Sequence, residues 1–245
     1  MFWPEAAIDN GYYLAEDQGL RDWLARRLGP RDLLLTGGVA LEYGKGWRAV
    51  GGRNSVFVLG ADGRILGRYD KAHLVPYGEY LPMRALLEPL GLSRLVPGDL
   101  DFWPGPGPAS LDLPGFGRAG FQICYEIIFP GAVASRAARP DFLFNPSNDA
   151  WFGRWGPPQH LAQARLRAAE EGLPVVRATP TGISALIGPS GEVIARLPHR
   201  TMGVIDGHLP RPLPPTAFAR LGNLLSLMVA LVLGGLAIVS ARRAR

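Results

Sequence analysis

Cys124 is the only cysteine of the chain, and its role is the first question that the sequence raises. It ends an apolar run, 121–124, and is followed at once by Tyr125 and Glu126. With no partner for an intrachain disulfide, it is either a small packing residue or a nucleophile. Free cysteines are usually buried and inert, so general experience favours packing. The choice depends on which acids and bases the fold brings to the thiol.

A nucleophilic thiol needs a base or a nearby cation. Four histidines are scattered along the chain, none in a context typical of cysteine proteases: His73, His160, His199 and His208. A carboxylate and a lysine are better candidates. Glu5 follows a Trp-Pro pair just before a helical segment, and Lys71 follows a predicted strand over 65–69. Each falls at the end of a predicted element, as Cys124 does, where a rigid scaffold presents functional groups.

The elements that must position these residues are readable from periodicity and turn residues. We predict helices over 10–28, 131–139 and 157–172, and buried strands over 32–40, 118–124 and 141–144. Two similar hairpins are predicted over 56–68 and 185–196, each with a glycine-containing turn. The Pro-Gly run 104–108 predicts a loop. Strands alternating with helices indicate a layered α/β domain.

Composition narrows the class of protein. The 245 residues carry a formal net charge of +5, without a basic stripe interleaved with aromatics, so we expect no nucleic-acid partner. We also expect neither a metal nor another cofactor.

The C-terminal region differs in kind from the rest. Residues 221–241 contain no charged side chain, and about 20 helical residues span about 30 Å, the thickness of a bilayer core. We predict a domain over 1–209, a Pro-rich linker over 210–220, a transmembrane helix over 221–241 and a basic tail over 242–245. The arginines of this tail predict a cytoplasmic C-terminus, with the domain on the opposite face of the membrane. Since no signal peptide opens the chain, we expect a missing upstream segment.

Several motifs together resemble one known family. They are YDKAHLVPYGEYLP at 69–82, CYEIIFP at 124–130, NPSNDAWFG at 145–153, GPPQH at 156–160, RAAEEG at 167–172 and RATPTGISA at 177–185. With the order Glu, Lys, Cys, they resemble the carbon–nitrogen hydrolase (nitrilase) superfamily, and within it the apolipoprotein N-acyltransferase family. The resemblance runs from Trp3 to the terminal apolar segment. It implies a four-layer αββα sandwich.

The resemblance also implies an activity and a role for each site residue. The family transfers an acyl chain from a phospholipid to the N-terminal amine of a diacylglyceryl-modified lipoprotein, at the bacterial inner membrane. Glu5 would be the general base and Cys124 the nucleophile that forms a thioester. Lys71 and a backbone N–H near Tyr125 would stabilise the oxyanion. The supporting residues are Glu79, which would orient Lys71 and Glu5, and Tyr125 and Glu126, which would shape the pocket.

The chain departs from the family pattern in two ways. Family members carry several membrane helices and the start of the domain before the Trp-Pro-Glu motif, so we expect this chain to be an N-terminally truncated form. Pro180 stands where the family usually has asparagine, beside a run that we expect to face the pocket, and proline lacks a backbone donor. Two alternatives stay open: a nitrilase-type amidase that uses water as acceptor, and an inactive membrane-anchored binding module.

Residues 81–97 form an apolar segment with two possible interpretations. Its leucines and Met83 are either part of the core or an arm over the active site that contacts the bilayer.

Overall fold

The computed structural model describes residues 1–8, 11–91 and 101–243. The described helices are α1 (Gln18–Ala25), α2 (Arg84–Leu87), α3 (Gly156–Glu171), α4 (Ala217–Leu221) and α5 (Asn223–Arg243). The described strands are β1 (Leu33–Tyr43), β2 (Ala49–Gly60), β3 (Ile65–Asp70), β4 (Ser110–Leu113), β5 (Gly117–Phe121), β6 (Phe142–Pro146), β7 (Val175–Ala178), β8 (Ser184–Ile187) and β9 (Val193–Leu197).

The strands form two sheets that pack face to face. Strands β1 to β3 make an antiparallel sheet, and β4 to β9 make a second sheet in chain order, in which the β5–β6 and β6–β7 pairs are parallel. One buried cluster holds side chains of both sheets, including Leu35 and Val58 from the first and Phe121 and Phe144 from the second. Alternate side chains of each strand therefore enter a shared interior between the sheets.

Helices cover the two outer faces. Leu24 of α1 packs with Leu34 and Phe57 on the outer face of the first sheet. Leu161 and Ala164 of α3 pack against the second sheet. The order of layers is helix, sheet, sheet, helix, which confirms the predicted αββα sandwich.

Several predicted elements are confirmed with small changes of boundary. Both hairpins form, as β2–β3 and β8–β9. The helix predicted over 157–172 is α3, which ends at Glu171 because the next residue, Gly172, adopts a left-handed conformation (φ +64°). The run 104–108 lies outside regular structure, as predicted.

Three predictions of secondary structure need correction. The helix predicted over 10–28 is shorter: α1 begins only after Asp17, whose side chain accepts from the Leu20 N–H and caps it. The strand predicted over 118–124 ends at Phe121, and a short 3₁₀ helix, Cys124–Ile128, follows. No helix forms over 131–139, where the chain makes bends and turns after a left-handed Gly131 (φ +72°).

The terminal apolar helix projects from the sandwich. Among the described residues, α5 is the one helix long and apolar enough to cross a membrane, and its most apolar stretch is not buried against the rest of the chain. Length and composition alone support this assignment, which agrees with the segment predicted over 221–241.

Candidate active site

The position of Glu5 depends on a close contact between two backbones. Residues 1–8 run beside β1, where the Trp3 N–H donates to the Leu35 carbonyl (2.8 Å) and the Gly37 N–H donates to the Pro4 carbonyl (3.1 Å). A Cβ on Gly37 would lie 2.6 Å from the Pro4 oxygen and 2.7 Å from the Glu5 Cα. The bare glycine therefore allows the approach that buries Glu5, which is 7% exposed.

Lys71 lies directly after β3, between two carboxylates. Its Nζ donates to Glu79 Oε1 (3.0 Å) and is 3.5 Å from Glu5 Oε1. Asn54 Nδ2 donates to the same two oxygens, at 2.9 and 2.7 Å respectively. The structure thus brings Glu5, Lys71 and Glu79 together, although Lys71 and Glu5 are 66 residues apart in the chain.

The charge of Lys71 is stabilised by this arrangement. Burial by itself lowers the pKa of Lys71, but the charges of Glu5 and Glu79 outweigh it and raise the pKa above its ordinary value. The Val75 N–H fixes Glu79 from the other side by donating to Oε2 (2.8 Å). The site therefore favours the charged form of Lys71 and fixes the orientation of its ammonium group.

Cys124 begins the short 3₁₀ helix in an unusual backbone conformation. Its φ is +51°, a region that costs energy for a residue with a side chain and that is often found at functional sites. Burial, followed by the negative charge of Glu5, raises the pKa of the thiol, while Lys71 acts in the opposite direction. A neutral thiol at ordinary pH needs a base to take its proton as it attacks.

Glu126 has a different position from the one predicted. It does not line the cavity that contains Cys124; its carboxylate lies buried between two loops. Oε2 accepts from the Ile123 N–H (2.8 Å), and Oε1 accepts from the N–H groups of Ala72 (2.8 Å) and His73 (3.1 Å). The Tyr69 hydroxyl contacts both oxygens, at 2.9 and 3.0 Å. Glu126 therefore ties the loop after Lys71 to the turn that carries the nucleophile.

The catalytic candidates face one cavity of about 590 Å³. Glu5, Lys71, Glu79, Cys124 and Tyr125 all line it. The apolar part of the lining includes Val39, Val75, Pro76, Phe102, Ile128, Trp151 and Phe152. Such a cavity suits an apolar ligand with one reactive polar group.

The run next to Pro180 does not face this cavity, contrary to the prediction. Neither Pro180 nor residues 181–185 belong to its lining, and Pro180 is exposed. The backbone N–H that proline lacks at position 180 is therefore not missing from the cavity wall.

A buried polar network behind the cysteine was not found by sequence reasoning. His160 Nε2 lies 3.1 Å from the Cys124 carbonyl oxygen, and its Nδ1 lies 2.8 Å from Asp149 Oδ1. Arg177 Nη2 donates to both Asp149 oxygens, at 2.8 and 2.7 Å. The sequence holds one sign of this network: the three residues lie in the family motifs at 145–153, 156–160 and 177–185. The sequence suggests histidine only as a base for the thiol, whereas His160 contacts the backbone of Cys124.

The described part of the segment 81–97 is mostly exposed. Met83, Leu86 and Leu90 are 65, 62 and 70% exposed, so the core interpretation is wrong for these three side chains. Residues 92–97 lie outside the described part of the chain.

Two facing sheets flanked by helices, with Glu, Lys and Cys on one cavity, define a nitrilase-type protein. Solved structures agree with this fold. A cysteine-to-alanine mutant of the Nesterenkonia AN1 amidase gives a TM-score of 0.54 at 20% identity, covering 82% of this chain and 74% of that one. Nit3 of Saccharomyces cerevisiae, a nitrilase-superfamily member, gives 0.54 at 18% identity, covering 82 and 73%.

The sequence model of the carbon–nitrogen hydrolases matches residues 1–213, and the chain belongs to this family. It is similar to the apolipoprotein N-acyltransferase of Bradyrhizobium diazoefficiens, with 42% identity over 247 residues, covering 100% of this chain and 45% of that protein. The enzyme of the same name from Rhodopseudomonas palustris is 42% identical over 236 residues, covering 95 and 44%. The chain spans a little under half the length of these curated relatives.

Proposed function

We propose that this chain carries the catalytic machinery of an acyltransferase that moves an acyl chain from a phospholipid to the N-terminal amine of a diacylglyceryl-modified lipoprotein. One observation carries the proposal: a base, a buried ammonium and the only cysteine line a single, largely apolar cavity. The names of the similar proteins support the choice of acceptor. The apolar helix α5 supports a lipid donor, since it would keep the domain at a membrane surface.

The first half of the reaction would form a thioester on Cys124. Glu5 takes the thiol proton while Sγ attacks the ester carbonyl of the phospholipid. Lys71 Nζ and the Tyr125 N–H stabilise the tetrahedral oxyanion, and each such donor typically contributes about 3 kcal/mol. The intermediate then collapses, and the lysophospholipid alcohol leaves with the proton held by Glu5. The acyl group stays on sulfur.

The second half would transfer the acyl group to nitrogen. The neutral α-amine of the lipoprotein attacks the thioester carbonyl and passes one proton to Glu5. The same two donors stabilise the second oxyanion. Collapse forms the amide and releases the Cys124 thiolate, which recovers the proton from Glu5. The enzyme returns to its starting state with no cofactor consumed.

The proposal also gives the chain an arrangement relative to the membrane. Residues 1–209 would be the catalytic domain, 210–220 the linker, 221–241 the span and 242–245 the tail. The basic tail supports an inner-membrane protein with its C-terminus in the cytoplasm and its cavity on the outer face.

Intact mass spectrometry of the full chain in phospholipid–detergent micelles tests the proposal. We expect an added acyl mass on Cys124, absent in Cys124→Ala and in Glu5→Gln, and its loss when a diacylglyceryl-modified lipopeptide is added. The exposed Glu192→Gln is the matched control, and it should acylate normally. An adduct formed only with small amides and lost to water would favour the amidase alternative. No adduct with either donor would favour the binding module.

A further inference from the structure

The backbone of the nucleophile is held by a histidine that the reaction scheme above does not use. His160 is buried on α3, and its Nε2 lies 3.1 Å from the carbonyl oxygen of Cys124. A carbonyl oxygen only accepts hydrogen bonds, so Nε2 must carry a proton in this contact. The partner of His160 is therefore the main chain of the nucleophile.

The other side of the imidazole is fixed just as firmly. Nδ1 lies 2.8 Å from Asp149 Oδ1, and Arg177 Nη2 lies 3.1 Å from the same nitrogen while donating to both Asp149 oxygens. Arg177 Nη1 also donates to Ser147 Oγ (2.9 Å). Asp149, His160 and Arg177 come from three separate elements and are all buried. The ring orientation is thus set by a rigid, charged support.

The contact has a consequence because a peptide unit is planar. The Cys124 carbonyl and the Tyr125 N–H belong to one trans peptide and point in opposite directions. A hydrogen bond that fixes the carbonyl also fixes the direction of the N–H. That N–H is the proposed oxyanion donor, and its residue lines the cavity. The unusual φ of Cys124, +51°, would also need such a restraint.

We propose that His160 is a positioning residue, which holds the Cys124–Tyr125 peptide so that the Tyr125 N–H faces the oxyanion, with Asp149 and Arg177 fixing the imidazole. It makes no contact with the thiol in this role. The inference rests on the proposed function in two points: Cys124 is the acylated nucleophile, and the Tyr125 N–H is an oxyanion donor.

Two isosteric substitutions separate this role from general support of the fold. The side-chain amide of His160→Gln places a donor near the position of Nε2, whereas the amide of His160→Asn reaches only the position of Nδ1. We expect acylation of Cys124 to fall about 10- to 100-fold in His160→Asn, with KM little changed. This is less than the roughly 100- to 1000-fold loss on removing an oxyanion donor, because the N–H is misdirected and not deleted. His160→Gln should recover most of this loss. The exposed His208→Asn serves as control.

Alkylation of Cys124 by iodoacetamide is the second measurement. This reaction forms no oxyanion, so His160→Asn should alkylate at a rate within about threefold of the parent chain. Equal acylation in all variants would overturn the proposal. So would equal losses in His160→Asn and His160→Gln accompanied by slower alkylation, since that would indicate a disordered turn.

A direct readout does not depend on activity. Because the chain has one cysteine, labelling with [¹³C-carbonyl]cysteine gives a single protein carbonyl NMR signal, that of the Cys124–Tyr125 peptide. We expect this signal to move upfield in His160→Asn and to return toward its original position in His160→Gln. An unmoved signal would overturn the proposal. If the signal moves in His160→Asn but the parent chain is never acylated, the proposed function is refuted, while the hydrogen bond from His160 is demonstrated.

Discussion

Removing the carboxylate of Glu126 tests whether one buried side chain joins the two catalytic loops. In Glu126→Ala, four donors lose their acceptor: the N–H groups of Ile123, Ala72 and His73, and the Tyr69 hydroxyl. An unpaired buried polar group costs about 1–3 kcal/mol. Partial recovery by water and the desolvation cost saved by removing a buried charge reduce the sum. We expect a loss of about 4 kcal/mol in the free energy of unfolding.

Glu126→Gln should cost much less. The amide keeps one oxygen, which can still accept from Ala72 and His73, so the main loss is the charge-assisted bond from Ile123, worth about 1.5–3 kcal/mol. Burial raises the pKa of Glu126, because it disfavours the charged form, so we expect a loss at the lower end of this range, about 1.5 kcal/mol.

Denaturant unfolding followed by far-ultraviolet circular dichroism measures both variants. Glu192→Ala is the matched control, because its carboxylate also accepts from a backbone N–H but is exposed, and it should change stability by less than about 0.5 kcal/mol. The reasoning is refuted if Glu126→Ala falls within the range of this control, or if Glu126→Gln is the more damaging substitution.

Three further outcomes follow from the site geometry. Gly37→Ala should displace Glu5 and lower the rate of acylation about 100-fold. In Gly38→Ala the added Cβ would meet its nearest atoms at 3.5 Å, so this variant should be folded in a melting assay and should lose far less acylation; equal acylation rates in the two variants would contradict this. Because Glu5 raises and Lys71 lowers the pKa of the Cys124 thiol, the pH profile of iodoacetamide alkylation should move to lower pH in Glu5→Gln and to higher pH in Lys71→Met, and the opposite order would exclude the assigned couplings. Burial acts to raise the pKa of Asp149, but His160 and Arg177 outweigh burial and hold this pKa below its ordinary value of 3.8. The ionised carboxylate therefore stabilises the fold above pH 3.8, and this stabilisation is lost as the pH falls through the lowered pKa. The stability of Asp149→Asn should fall less steeply with acid than that of the parent chain, and parallel curves would contradict this reasoning.

Local patterns were sufficient where an element depends on its own residues. Turn glycines and apolar strands predict both hairpins, and the proline and glycine near its ends predict α3. The same approach fails over 131–139, because no local signal shows that the chain there bends rather than winds into a helix. It also extends α1 too far, since the cap at Asp17 is a single hydrogen bond that periodicity does not detect.

The sequence by itself determined the fold class and the residue types of the site, because Glu5, Lys71, Glu79 and Cys124 lie in motifs with a recognisable order. Only the tertiary structure decided what each group contacts. Glu126 turned away from the cavity to bind backbone N–H groups more than 50 residues away, and His160 reached the carbonyl of Cys124 instead of its thiol. The physical reason is that hydrogen bonds between distant segments depend on how the sheets and helices pack. The spacing of residues along the chain does not give the distance between their side chains in space.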